Sequence, residues 1–180
     1  GAGHIIDGKR NFLEEFHFDQ ELIEFLEFYS SGEYIFSEVE LIINGDFFDL
    51  LAVPFVKYFD DEFWSEKAAL EKFKIILNAH KDVIDAMIRF ISKPSKSIIY
   101  IIGNHDAELI FPSLQDYFLS IIPQKVRPNF SFFLEEEYEP FPQIVVKHGH
   151  DYEKAHAYNR KNAIVKSIDN ENYFDAPWGS

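Results

Sequence analysis

Apolar positions along the chain change period several times, and each change predicts an element. Across residues 12–29 (FLEEFHFDQELIEFLEFY), Phe12, Phe16, Ile23 and Leu26, with Phe18, Leu22 and Phe25 between them, recur at roughly helical spacing against an acidic face. The run SSGEY then interrupts the pattern. Residues 39–44 (VELIIN) are a short apolar run ending at Gly45, which reads as a buried strand. Residues 62–92 return to helical spacing over a length suited to one or two helices, and stop before Pro94. A second buried strand is expected at 97–102 (SIIYII), then a helix over 107–122 with a break at Pro112. Strands follow at 130–134 and 143–147, and a last helix at 152–167. Alternating strands and helices, with near-continuous apolar strands, predict an α/β fold on a largely parallel or mixed sheet.

In such sheets ligands gather at the carboxyl ends of the strands. Polar clusters fall at three of those ends: NGDFFD after 39–44, GNHD after 97–102 and KHGHD after 143–147. They offer a carboxylate at Asp46, an amide oxygen at Asn104 and an imidazole at His148. Taken singly, each reads as a turn or a surface loop. Three together at strand ends point to a divalent cation that accepts mixed oxygen and nitrogen ligands, such as Mn²⁺, Fe²⁺ or Zn²⁺. His105 lies beside Asn104 and precedes Asp106, whose carboxylate is expected to accept its N–H and stabilise the imidazolium.

Composition narrows the function. With 47% hydrophobic and 17% aromatic residues, including 20 Phe, the 180-residue chain is too apolar to stay disordered. Its apolar runs are too short to span a bilayer. Cysteine is absent, which removes disulfides and thiolate metal sites and fits a cytoplasmic setting. A net charge of −14 disfavours general nucleic-acid binding relative to a small or membrane-derived substrate.

Gly45–Asp49 (GDFFD), Gly103–Asp106 (GNHD) and His148–His150 (HGH) resemble, in order and spacing, the second, third and fourth signature blocks of the calcineurin-like metallophosphoesterases. HGHDYE is similar to the bacterial branch near the UDP-2,3-diacylglucosamine hydrolases. The resemblance implies a two-sheet sandwich flanked by helices. It also implies two divalent metal ions, Mn²⁺ before Fe²⁺ or Zn²⁺, and hydrolysis of a phosphate ester or pyrophosphate by a water activated between them. Asp46 would bridge the metals, Asn104 and His148 would bind the second, His105 would be the catalytic histidine and Asp106 would orient it. Asp49 would stand behind this set. The family pattern opens with Asp-x-His and closes with Gly-His-x-His; neither occurs in these residues, so a single truncated domain over 1–180, incomplete at both ends, is expected. A non-catalytic scaffold with the same fold, and an unrelated α/β domain whose three clusters are turns, are the competing expectations.

Other residues carry weaker signals. His150 reads equally as a metal or substrate contact and as a loop histidine. Arg10 could meet a phosphate oxygen, although a surface salt bridge is the plainer reading. His4 is placed near the rim of the cleft, His17 on the surface, His80 and Lys81 on a solvated helix, and His156 one helical turn after Tyr152. The aromatic and aliphatic stripe from Phe47 to Trp64 reads first as core, and second as a wall for an apolar limb of the substrate.

Overall fold

The computed structural model describes residues 1–180 except His4, Asp7, Gly8, residues 54–60, Trp178 and Ser180. In chain order the elements are β1 (Ile5–Ile6), β2 (Lys9–Arg10), α1 (Asp19–Phe28), β3 (Val39–Asn44), α2 (Glu66–Ala79), α3 (Lys81–Ile91), β4 (Lys96–Ile101), α4 (Pro112–Ile121), β5 (Phe130–Phe133), β6 (Tyr138–Phe141), β7 (Ile144–Val146), β8 (Ile164–Lys166) and β9 (Asn172–Phe174). The fold is mixed α/β. Among the described residues its sheets are one parallel three-stranded sheet, in the order β3-β4-β5, and three two-stranded antiparallel ones.

The central strand explains the arrangement. β4 is the most continuous apolar run in the sequence, and Ile98, Tyr100 and Ile101 are fully buried, as expected of a strand covered on both faces. It pairs with β3 from Val39↔Lys96 to Asn44↔Ile101, and with β5 from Ile98↔Phe130 to Ile101↔Phe133. The loops after β3 and β4 therefore leave the sheet at the same level. The crossover between these strands is the pair α2 and α3, with α4 between β4 and β5. Ser65 caps α2, its hydroxyl accepting the Ala68 N–H at 3.1 Å. Aromatic rings fill the space between helices and sheet: Phe48 stacks on Tyr100 (centroids 5.5 Å apart), and Phe73 and Phe118 meet Phe48 edge-on.

Four expectations need correction. The helix expected from residue 12 begins only at Asp19. Side chains compete with the helix before that point: Glu14 accepts the N–H groups of Ala2 and Phe16, and Asn11 donates to the Ala52 carbonyl. The long helical stretch is two helices, as its length allowed, but His80 at their junction is buried rather than solvated, with Nδ1 2.8 Å from Asp19 and Nε2 3.1 Å from Glu14. Residues 134–147 hold two strands, the hairpin β6–β7, rather than one. No helix forms over 152–167. A 3₁₀ turn (His150–Tyr152) leads into a loop held by Asn159, whose side chain accepts the Lys161 N–H, and then into the hairpin β8–β9. The Tyr152–His156 spacing matched a helical turn by coincidence. His4 and the middle of the Phe47–Trp64 stripe, Phe55 and Phe59 included, lie outside the described residues; Phe48, Leu50 and Val53 are core. No helix among the described residues is long and apolar enough to cross a membrane.

Candidate metal centre

Three loops converge where the parallel sheet ends. After β3 the chain enters left-handed conformation at Gly45 (φ 77°) and again at Asp46 (φ 55°). Asp tolerates that conformation better than most residues, and the turn swings its carboxylate across to the loop after β4. There Asp46 Oδ1 accepts the His105 N–H at 2.9 Å. Both glycines are needed for this approach. A Cβ on Gly103 would collide with the Asp46 carboxylate, and one on Gly45 with the His148 ring.

The third loop is tied to the first by two bonds. Asn44 Nδ2 donates to the Lys147 carbonyl at 3.2 Å, and His148 Nδ1 lies 2.6 Å from the Asn44 carbonyl. A carbonyl can only accept, so Nδ1 carries the proton. His148 Nε2 is left facing Asp46 Oδ2 at 3.2 Å and Asn104 Oδ1 at 3.3 Å. In the neutral ring, three lone pairs from a carboxylate, an amide and an imidazole then meet with no donor between them. Such a cluster calls for a cation, either a proton on Nε2 or a metal ion. The backbone anchor on Nδ1 is the usual support of a metal-binding imidazole. This donor set also fits a divalent ion, which Asp46, Asn104 and His148 would hold. Among the described residues no group of three or more His, Cys, Asp or Glu side chains is placed to hold a metal ion, so a site here would need the amide of Asn104 as well.

Electrostatics follow the geometry. Burial works to raise the Asp46 carboxyl, but the His148 and His105 bonds outweigh it and hold the group below its usual range. The bond to Asp46 raises His148 above its usual range. His105 is raised as well, chiefly by Asp49, whose Oδ1 lies 3.2 Å from its Nδ1.

That last contact corrects the expected pairing of His105 with Asp106. Asp106 is fully buried and turned away, accepting from the Tyr100 hydroxyl, the Gly103 N–H (2.6 Å) and the Phe47 N–H (3.2 Å). It binds the two loops together from beneath, and burial raises its carboxyl to about 7. Asp49 takes the orienting place.

The remaining sites are less central. Arg10 is exposed, its guanidinium 5.6 Å from the centre of the Phe12 ring. His150 is buried, with its ring 5.2 Å from that of His148 and stacked on Tyr158. Its Nε2 lies 3.1 Å from Asp151, yet neither ring nitrogen has a well-formed hydrogen bond. Sequence reading missed Tyr158 and Arg160, which donate to the Gly103 and Ile102 carbonyls. Lying in a loop without periodicity, they gave no signal. The chain matches no protein-family model, no curated protein and no solved structure.

Proposed function

We propose that the protein is a metal-dependent hydrolase of phosphate esters or pyrophosphates, built on the fold of the calcineurin-like metallophosphoesterases that its three motifs resemble. One observation carries this reading: Asp46 Oδ2 and Asn104 Oδ1, each just beyond a parallel strand, meet His148 Nε2, which follows the hairpin β6–β7, with the far nitrogen of His148 committed to a backbone carbonyl. Asp46, Asn104 and His148 would hold the ion, Mn²⁺ before Fe²⁺ or Zn²⁺. A bound divalent ion supplies Lewis acidity at a phosphoryl oxygen and a nucleophilic water at neutral pH. The chain's own contribution is His105. Its side chain is 44% exposed and held by Asp49, so a proton is available at its free nitrogen. From there it steadies charge on the phosphoryl group or protonates the leaving oxygen. In this reading the parallel sheet is one layer of the two-sheet sandwich. The substrate is a small phosphorylated molecule, and an apolar limb against the Phe47 side of the cleft is compatible with it.

The competing scaffold reading keeps the fold without turnover, and the short ligand set favours it to that extent. Mn²⁺ titration followed by electron paramagnetic resonance tests the metal claim directly. Binding is expected in the wild type and its loss in Asp46→Ala; equal binding by both would refute the site. Hydrolysis of bis(p-nitrophenyl) phosphate then separates enzyme from scaffold.

A further inference from the structure

The backbone beyond β4 has lost its sheet partners, and one later loop replaces them. β4 ends at Ile101, yet the Ile102 and Gly103 carbonyls lie in the interior, where an unpaired acceptor is costly. Arg160 Nη2 donates to Ile102 O at 2.7 Å, and the Tyr158 hydroxyl donates to Gly103 O at 3.0 Å. The next two residues are Asn104 and His105. The ring of Tyr158 does a second job. It stacks on His150 with centroids 5.1 Å apart and planes 8° from parallel, and Phe174 backs it edge-on at 5.3 Å. His150 in turn lies two residues from His148. One buried aromatic side chain therefore touches both loops, through its hydroxyl on one side and its face on the other.

We infer that Tyr158 is a positioning residue that sets the loop of Asn104 and His105 against the loop of His148, with Arg160 as its companion on the strand end. The inference rests on the proposed roles of Asn104, His105 and His148. The hydroxyl controls the first loop and the ring controls the second, so the two functions are separable. Tyr158→Phe keeps the stack and loses the bond to Gly103. Tyr158→Leu loses both.

The test compares the two variants with the wild type in the full 180-residue chain. Histidine ring ¹⁵N spectra are recorded without metal, and Mn²⁺ affinity is measured by electron paramagnetic resonance. Tyr158→Phe is expected to shift the His105 ring signals and leave those of His148 in place, with Mn²⁺ affinity down about tenfold, the lower end for outer-shell partners. Tyr158→Leu is expected to move both sets. Arg160→Gln loses the bond to Ile102 and the guanidinium 5.6 Å from the Tyr158 ring centre but keeps the hydroxyl bond to Gly103; it is expected to shift His105 in the same direction, which keeps the test available should Tyr158→Phe fail to fold. Wild-type His105 signals in both Tyr158→Phe and Arg160→Gln would overturn the inference. If the wild type binds no Mn²⁺, the metal reading fails, and the ring spectra alone decide the positioning role.

Discussion

At the scale of single residues, Asp46 and His105 sit 2.9 Å apart through a backbone bond but do different work. In the proposed mechanism Asp46 would anchor the ion and His105 would carry the proton. Asp46→Ala should abolish Mn²⁺ binding and turnover together. His105→Ala should leave Mn²⁺ binding near the wild-type level and slow turnover by about 10²–10⁴, the usual range for a positioned acid or base. Metal titration beside a phosphodiesterase assay on the complete protein checks the pair, and loss of metal in His105→Ala would mean the roles are misassigned. Gly103→Ala tests the close approach of the loops without removing a polar group. The new methyl meets the Asp46 carboxylate, so the variant should fold with reduced stability and lose Mn²⁺ affinity. Unchanged affinity would show that Asp46 is free to move aside.

Between elements, the main tether from the helical layer to the site is an ion pair. Lys72 of α2 and Glu108 of the 3₁₀ turn Ala107–Ile110 lie 2.6 Å apart, each side chain at most 1% exposed, with Nζ also 3.6 Å from the Phe63 ring centroid. Removing one partner strands a buried charge, so Lys72→Met should cost about 3–5 kcal/mol in urea unfolding. The double variant Lys72→Met/Glu108→Leu should recover most of that loss. A double variant as unstable as the single would show that packing, not charge, dominates there. This pair was invisible in the sequence because its partners stand 36 positions apart. Elements with a strong local signature were legible: β3 and β4 as β-branched runs, α3 up to Pro94, and the convergence of Asp46, Asn104 and His148 from their places at strand ends. What failed depended on direction rather than spacing. Asp106 is adjacent to His105, yet its carboxylate turns inward to Tyr100. Tyr152 and His156 sit at helical spacing in a segment that Gly149, in left-handed conformation (φ 95°), turns into a loop.

For the whole molecule, the site makes stability depend on pH. Burial pushes the Asp106 carboxyl up to about 7 from its ordinary value of 3.8. Between those values the folded chain holds a proton that the unfolded chain has lost, so stability falls as pH rises through that window. His105 and His148, both raised, add stability below their unfolded value near 6.5 and lose it as pH climbs past their folded values. Asp46 and Glu14, both lowered, contribute above the usual carboxylate range and lose that contribution on acidification. The Gly1 amine and the His150 ring, both lowered by burial, work against this trend in the same window, so the Asp106 part is read by difference: in EDTA, Asp106→Asn should lose less urea midpoint than the wild type between pH 5.5 and pH 8, and an identical slope in the variant would remove Asp106 as a cause. The parallel sheet also sets the order in which the molecule assembles. Asp46 meets His105 across 59 positions, and His148 meets Asn44 across 104, so neither contact forms before the strands that carry the loops have paired. Closing such long loops is the slow step in folding. The site is completed on the native side of the barrier. Asp46→Ala should accordingly change the rate at which the protein unfolds and leave the rate at which it folds almost untouched, and a chevron plot will read that difference directly: on this expectation the junction of the three loops is a latch on a finished sheet, governing how long the native state lasts rather than how quickly it is reached.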